Sequence, residues 1–212
     1  MRLTRISFKD ITNLIQRYSL YQQSCLSIEQ FTTFGKTAKP VESFQFGRHE
    51  LPVRLAHIIR EIDLLPKNLL KMPSVELVRS WYVQSFRELL EFQEEDETEE
   101  VTNRTKNSPN WMILESRQRN ERERFTQNLM SIKHRHDNVV ETMAQGIMEL
   151  RQQEGDDAFH PSIQYFLDRF YMSRISIRML ITQHYAVSNA AYLCEQIYCA
   201  SPSVEISEVN GA

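Results

Sequence analysis

The sequence contains few of the residues that form tight turns or covalent cross-links. Its 212 residues include five glycines, seven prolines and three cysteines, Cys25, Cys194 and Cys199. So few turn residues favour long helices over a sheet of many strands. An odd number of cysteines without a Cys-x-x-Cys pair argues against a disulfide scaffold and for a reducing compartment. Zinc ligands at a standard spacing are also missing.

Long apolar runs and a strong charge imbalance are absent as well. No apolar run is long enough to cross a bilayer, so the sequence predicts no membrane span. The formal net charge is −3, which provides no case for nucleic acid as a partner. Hydrophobic residues make up 41% of the chain and charged residues 25%. This balance is typical of one large globular domain, or two small ones, with a real core.

Apolar residues recur at spacings of three and four, which predicts amphipathic helices. Four long segments show this pattern, and they are residues 50–65, 73–90, 121–150 and 163–184. Two shorter segments precede them, at residues 8–20 and at 27–35, where Ser27 and Gln30 form a capping-box pattern. Long amphipathic helices pack with their apolar seams inward. We therefore predict an all-α fold, a four-helix bundle with extra short N-terminal helices.

Two arginines lie on the apolar stripe of the last segment. Arg174 and Arg178 are one turn apart on that stripe, and Ser173 lies at its edge. A buried guanidinium without a partner is costly, so this helix requires anions nearby. On residue types alone, ion pairs with carboxylates of neighbouring helices are the more frequent arrangement. The alternative is an internal pocket for a small acid.

Polar residues interrupt the seams of three segments, and in a bundle they would converge on one cavity. They are Tyr82, Ser85, Lys133, His136, Ser173, Arg174 and Arg178. The hydroxyl groups usually satisfy each other or a backbone carbonyl. A lone histidine in a seam is more often a satisfied core residue than a functional one.

Three further stretches differ from the bundle segments. The segment that begins near Ser27 is unusually apolar, so Phe31 and Phe34 either dock on the core or form a hydrophobic pocket near the surface. Residues 91–120 begin with clustered acidic residues and are predicted to be a solvated, mobile connection. Residues 1–7 are basic, as in a mitochondrial presequence, and we interpret them as a targeting remnant.

Four strings are long enough to be compared with known families. They read Glu-Leu-Pro-Val-Arg-Leu-Ala at 50–56, Pro-Ser-Val-x-Leu-Val-x-Ser-Trp-Tyr at 73–82, Arg-His-x-x-Val-Val-x-Thr-Met-Ala-Gln-Gly at 135–146 and Gln-Tyr-Phe-Leu-Asp-Arg-Phe-Tyr-Met-Ser-Arg-Ile-Ser-Ile-Arg-Met-Leu at 164–180. Together they closely resemble the mitochondrial pyruvate dehydrogenase kinases, in order from about Ile11 to His184. The related branched-chain ketoacid dehydrogenase kinase is a weaker match.

The resemblance implies an N-terminal regulatory four-helix bundle, which in that family precedes an ATP-binding domain of the histidine-kinase and Hsp90 type. Such enzymes use ATP and Mg²⁺ to phosphorylate serines of the first component of the pyruvate dehydrogenase complex, which switches the complex off. They bind the lipoyl domains of its dihydrolipoyl acyltransferase core. The resemblance thus implies these partners and the mitochondrial matrix as the compartment.

The resemblance also implies two binding sites and reverses the preference for ion pairs. The family's pocket for pyruvate-like acids would be lined by Leu55, Tyr82, Ser85, Ile132, Lys133, His136, Ser173, Arg174, Ile177 and Arg178. Arg174 is the expected principal contact for a small 2-oxo acid, supported by Arg178 and by His136, which is expected to titrate near neutrality. Lys133 stands where the family usually has Arg, so it lacks the bidentate fork. The family's lipoyl pocket falls at Phe31, Phe34 and Phe44.

The chain departs from the family after His184. Residues 189–195 and 200–206 resemble the first helix of the ATP-binding domain and the segment after it, without the motifs that hold Mg²⁺, the catalytic base and ATP. We therefore predict a regulatory bundle at 1–184 and a remnant of the ATP-binding domain at 185–212. We expect no cofactor in this chain and no kinase activity from it alone.

These departures leave some roles open. In the catalytic reading, His136 would at most support a base in the absent half, and a homodimer is expected only with a complete ATP-binding domain. The alternative is a non-catalytic helical module, or a truncated product, that binds a lipoyl domain and a small 2-oxo acid. A helical scaffold without a ligand, its arginines paired with acidic residues, is the third interpretation.

Overall fold

The computed structural model describes residues 8–93, 111–155 and 161–200, and all the regular secondary structure in these ranges is helical. The all-α prediction is therefore confirmed. The targeting remnant, most of the acidic connection and the end of the ATP-binding remnant lie outside the described residues.

Eight helices follow one another along the described chain. They are α1 (Phe8–Tyr18), α2 (Ile28–Thr37), α3 (Pro40–Asp63), α4 (Lys67–Leu70), α5 (Pro73–Leu90), α6 (Trp111–Arg135), α7 (Val139–Glu154) and α8 (Pro161–Ala200). The capping box predicted at Ser27 is present at the start of α2, where Ser27 and Gln30 exchange side-chain and backbone hydrogen bonds.

The bundle forms around α3. This helix packs along α8 and α5, while α5 packs against α7 and α6 packs against α8. Tyr82, Phe86 and Phe170 are among the largest fully buried side chains. Among the described residues, no helix is both long and apolar enough to cross a membrane.

Two helices begin earlier than the apolar pattern indicated. Helix α3 begins at Pro40 instead of Glu50. A proline fits the first turn of a helix. The Glu42 carboxylate accepts a hydrogen bond from the Lys39 backbone amide at 2.9 Å, which caps the N-terminus of α3. Helix α6 begins at Trp111 instead of near residue 121. Its residues 115–120 are all exposed, so no apolar periodicity marks this part of the helix.

The predicted helix over 121–150 is interrupted, whereas the last helix is continuous. Helix α6 ends at Arg135 and α7 begins at Val139, with a turn at residues 136–138. Helix α8 crosses residue 184 without a break and reaches Ala200. The division of the chain into two domains at this residue stays a prediction.

A close approach between α5 and α7 depends on Gly146. A Cβ atom at this position would lie 2.5 Å from Val75 Cγ2 and 3.3 Å from the Val75 backbone nitrogen. At Gly47 in α3, by contrast, an added Cβ would make an ordinary contact with Phe125 at 3.5 Å. Only the first glycine is therefore required for helix packing.

We predict that Gly146→Ala lowers the free energy of unfolding by about 1–3 kcal/mol, because the added methyl group forces α5 and α7 apart. The matched change Gly47→Ala should be neutral or stabilising by up to about 1 kcal/mol, because alanine favours the helix. Urea unfolding of both variants measures the difference. Equal stability of the two would contradict the assigned contact.

Candidate functional site

Most of the predicted acid-site residues meet at the C-terminal end of α6. The buried ones are Leu55, Tyr82, Ser85, Ile132, His136 and Ile177, and the half-buried ones are Lys133, Ser173, Arg174 and Arg178. The apolar members belong to the hydrophobic core. In the described parts of the chain, no three potential metal ligands are grouped so that they could hold a metal ion.

Arg174 and Arg178 cover the C-terminal end of α6. Arg174 Nη2 donates to the carbonyl oxygens of His136 at 3.2 Å and Asp137 at 3.3 Å. Arg178 Nη1 donates to the carbonyl oxygen of Lys133 at 3.3 Å. The last carbonyl groups of a helix lack partners within the helix and carry the negative end of its dipole. The helix end therefore stabilises both guanidiniums.

The two arginines differ in their carboxylate partners. Arg178 Nη1 also donates to Asp137 Oδ1 at 2.9 Å, and this bond lowers the pKa of the Asp137 carboxyl. No carboxylate among the described side chains pairs with Arg174. The ion-pair interpretation thus fits Arg178, whereas Arg174, within the described residues, is bonded to backbone carbonyl groups instead of a carboxylate.

Two buried hydrogen-bond donors beside this helix end have no partner in the described part of the chain. They are the hydroxyl group of Tyr82 and Nε of Arg174. Burial raises the pKa of Tyr82, while the charges of Arg174 and Arg178 act to lower it, so the phenol is neutral and lies within their field. An unsatisfied buried polar group costs about 1–3 kcal/mol. An acceptor oxygen within reach of either group would relieve that cost.

The Ser85 hydroxyl, in contrast, is fully used. It donates to the Trp81 carbonyl at 2.8 Å, and its oxygen lies 2.8 Å from Arg135 Nη1 and 3.0 Å from His136 Nε2. A hydroxyl group has one proton and two lone pairs. Ser85 therefore has no proton left for a ligand, whereas the Tyr82 hydroxyl can still donate.

His136 is a neutral member of the site. Burial lowers its pKa to about 4, against the opposing effect of the Trp81 carbonyl and with further lowering by the charges of Arg135, Arg174 and Arg178. The prediction that His136 titrates near neutrality is therefore wrong. A seam position in a sequence does not show that three guanidiniums surround the ring.

A second buried histidine, His184, connects three helices and was not singled out from the sequence. Its Nδ1 lies 2.9 Å from Ser43 Oγ on α3, and its Nε2 lies 2.9 Å from Thr126 Oγ1 on α6. Thr126 Oγ1 also lies 2.9 Å from the Arg122 carbonyl, and which ring nitrogen of His184 donates depends on the tautomer. Burial lowers the pKa of His184 to about 4. No sequence signal marks this role, because it depends on hydroxyl groups far away in the chain.

The three phenylalanines of the predicted lipoyl pocket lie in different surroundings. Phe44 is buried in the core, with its ring centroid 5.0 Å from that of Phe125. Phe34 is half-buried, and its ring lies 5.6 Å from Phe46. Phe31 lines an open groove of about 630 Å³ between α2 and α8. Of the three, Phe31 is thus the one that borders this groove.

Comparison with known proteins identifies similar sequences over nearly the whole chain. The matching family model, described as mitochondrial branched-chain alpha-ketoacid dehydrogenase kinase, covers residues 25–198. The chain is 40% identical over 243 aligned positions to human pyruvate dehydrogenase (acetyl-transferring) kinase isozyme 3, mitochondrial, covering 99% of this chain and 55% of the relative. The mitochondrial pyruvate dehydrogenase (acetyl-transferring) kinase of Drosophila melanogaster is 38% identical over 234 positions, covering 95% of this chain and 52% of the relative. The chain spans about half the length of the curated relatives it matches.

We predict that the free energy of unfolding falls between pH 7 and pH 5. Both buried histidines stay neutral in the folded protein and become protonated when it unfolds. Their pKa values are about 4 when folded, and about 6.5 when unfolded, so the unfolded state binds more protons in this window. The loss should be about 2 kcal/mol for each histidine, and the stability is recovered above pH 6.5. Urea unfolding at the two pH values measures it.

The variants His136→Gln and His184→Gln should each reduce this pH dependence by about half. The exposed His49 provides a control, because His49→Gln removes no buried ring. A wild-type free energy of unfolding that stays constant from pH 7 to pH 5 would contradict the assignment of buried, neutral histidines.

Proposed function

Because the chain belongs to the family of mitochondrial pyruvate dehydrogenase kinases, we propose that it is the ligand-sensing helical part of such a kinase. In this proposal it binds a small 2-oxo acid between α5, the end of α6 and α8. The relatives are named as kinases of pyruvate dehydrogenase. We extend to this chain a role in that complex, in the mitochondrial matrix, with the first component of the dehydrogenase as the target of the whole enzyme.

The observation that carries the acid site is the pair of unsatisfied donors, the Tyr82 hydroxyl and Arg174 Nε. Both are buried, and Arg174 has no carboxylate partner among the side chains described. A carboxylate supplies acceptor oxygens and a negative charge together, which meets both requirements. A charge-assisted hydrogen bond in such surroundings contributes about 1.5–3 kcal/mol.

A 2-oxo acid fits this arrangement better than a dianion does. One carboxylate can accept from Arg174, while a neighbouring keto oxygen can accept from the neutral Tyr82 hydroxyl. Arg178 is already paired with Asp137, so its charge is partly balanced. The site therefore has charge to hold one small monoanion.

The alternative function is a helical scaffold without a ligand, and the ion pair between Arg178 and Asp137 favours it. In that case Arg174 acts only on the carbonyl groups at the end of α6. The two functions differ in what the Tyr82 hydroxyl does, because a scaffold has no use for an unsatisfied buried donor.

For docking, we propose that the groove between α2 and α8 accepts the lipoyl arm of the acyltransferase core. A dithiolane is apolar and requires an apolar slot. Phe31 lines the groove together with Ile175 and Met179, which are 48% and 43% exposed. Arg174 and Arg178 also border it, which suits an acidic partner domain. The proposal assigns no resident cofactor to these helices and leaves ATP and Mg²⁺ to other parts of the enzyme.

We predict that Tyr82→Phe weakens binding of pyruvate and dichloroacetate about three- to tenfold, because one hydrogen bond to the ligand is lost. The same change should leave the unliganded protein as stable or more stable, because an unsatisfied buried hydroxyl is removed. Arg174→Ala should abolish the binding. Calorimetry and ligand-induced melting shifts measure these effects.

Arg169→Ala is the matched control on α8. Arg169 is exposed and pairs with the half-buried Glu61, outside the proposed site, so its loss should leave the acid affinity unchanged. Helicity measured by circular dichroism separates binding from folding. If Tyr82→Phe binds both acids as the wild type does, or if Arg174→Ala unfolds whether or not acid is present, the scaffold alternative is correct.

We predict that Phe31→Ala weakens binding of a lipoylated domain by about tenfold, because a large apolar contact is lost. Calorimetry with lipoylated and unlipoylated domains measures the contribution of the lipoyl group. Met148→Ala serves as a control, because Met148 is 56% exposed on α7, away from the groove. Equal affinity of the two domain forms for the wild type would exclude a lipoyl pocket here.

A further inference from the structure

A second concave site lies between α6 and α8, away from the proposed acid site. It is a groove of about 510 Å³, which is within the range of about 300–1,000 Å³ that small-molecule sites occupy. Arg122 lines it from α6 and Asn189 from α8. Arg122 precedes Lys133 of the acid site by about three turns of α6, or about 16 Å along the helix axis. The two sites are therefore separate.

Arg122 is a half-buried arginine whose charge is not balanced by an ion pair. Within the part of the chain that the structure describes, its guanidinium makes no hydrogen bond and no ion pair. Glu123 also lines the groove, but adjacent residues of a helix do not face each other, and its carboxylate lies 3.5 Å from the Gln127 amide nitrogen. Arg119, one turn before Arg122, brings a second positive charge to the same groove. The groove thus attracts an anion.

Helix α8 lines this groove with neutral hydrogen-bond donors. Asn189 is half-buried, and Tyr185 lies one turn earlier on the helix. Neither side chain has a hydrogen-bond partner among the described residues. An amide and a phenol can each donate to an acceptor oxygen. Together with Arg122, three different side chains can therefore donate to a ligand in the groove.

The two walls of the groove are joined beneath it by the buried His184. Its Nε2 lies 2.9 Å from Thr126 Oγ1 on α6 and 3.4 Å from Ser188 Oγ on α8. Thr126 and Ser188 both line the groove. These contacts fix α6 and α8 relative to each other at this level, so the donors are held in place before a ligand arrives.

The groove also has an apolar part. Met130 and Pro40 line it, and both are half-buried. The ring of Tyr185 adds an aromatic surface. A small ion alone would leave this part in contact with water, whereas a ligand with an organic body would cover it.

We infer that this groove is a binding site for a phosphate group carried by a small organic monoester. A phosphate group has three oxygens that accept hydrogen bonds, one for each of Arg122, Asn189 and Tyr185, whereas a carboxylate has two. The organic body of the ester packs on Pro40 and Met130. This site shares no residue with the proposed 2-oxo acid site, and it does not depend on that proposal.

Calorimetry on the full chain with three probes tests the class of ligand. The probes are phenyl phosphate, inorganic phosphate and benzoate. Phenyl phosphate and benzoate share the ring and differ in the anionic group. We expect benzoate to bind at least about tenfold more weakly than phenyl phosphate, because it lacks an acceptor oxygen for one donor. Inorganic phosphate should also bind more weakly than phenyl phosphate, because it leaves the apolar part uncovered.

Variants of both walls test the assigned residues. Arg122→Met removes the charge and the donors from a side chain of similar length, and should weaken binding of phenyl phosphate at least about tenfold. Arg122→Lys keeps the charge without the planar fork and should lose less. Asn189→Ala should weaken binding about three- to tenfold, and it tests the site independently if Arg122→Met does not fold.

Arg117→Met is the matched control. Arg117 is an exposed arginine of α6 that does not line the groove, and its replacement changes the net charge by the same amount. The affinity for phenyl phosphate should stay unchanged in this variant. Circular dichroism confirms that each variant has kept its helices.

Several results would overturn the inference. These are a wild type that does not bind phenyl phosphate, an affinity that Arg122→Met and Asn189→Ala leave unchanged, and an equal loss in Arg117→Met. Benzoate that binds as tightly as phenyl phosphate would exclude a site for phosphate, and inorganic phosphate that does so would exclude the organic body. Displacement of phenyl phosphate by excess pyruvate would place the probe in the acid site instead of this groove.

Discussion

The C-terminal end of α6 and the guanidiniums of Arg174 and Arg178 satisfy each other, and the arrangement of the site depends on this exchange. A helix end exposes carbonyl groups that have no partner within the helix, and two cations inside a bundle need negative groups around them. The α6–α7 turn brings these two requirements together. Carbonyl dipoles hold a cation without neutralising it, so Arg174 keeps its positive charge.

Two of the remaining polar residues around the proposed site, Ser85 and His136, are already engaged or uncharged. The Ser85 hydroxyl donates to a backbone carbonyl, and burial keeps His136 neutral. The Tyr82 hydroxyl and Arg174 Nε are left as unsatisfied donors. In the proposed acid site, recognition would therefore rest on these two donors and on the charge of Arg174.

The sequence correctly predicted which side chains face the bundle interior wherever apolar residues recur at helical spacing. The seams of 73–90 and 163–184 place Tyr82, Arg174 and Arg178 inside the bundle, and the structure has them buried or half-buried there. The turn at residues 136–138 was not predictable from the same pattern, because the apolar repeat continues across it in register. Nor was the extra length of α6, whose exposed residues 115–120 carry no apolar signal.

The contacts of Arg135 and His184 could not be predicted from the sequence for another reason. Each depends on a hydroxyl group or carboxylate that is distant in the chain, Glu88 for one and Ser43 and Thr126 for the other. A charged residue at a helix end and a histidine after an apolar run have many ordinary explanations. Only the packing of three helices shows which explanation applies.

Helix α2 differs from every other part of this arrangement, because none of its ten residues is buried. Its own capping box, the partly buried Phe31 ring and a bond from the Gln183 amide to the Phe31 carbonyl hold it in place. A helix with so little buried surface opens locally at a free energy far below that of global unfolding. Its amide hydrogens should therefore exchange with solvent while the bundle stays intact, so that a partner meeting this face encounters an adjustable surface on a rigid support.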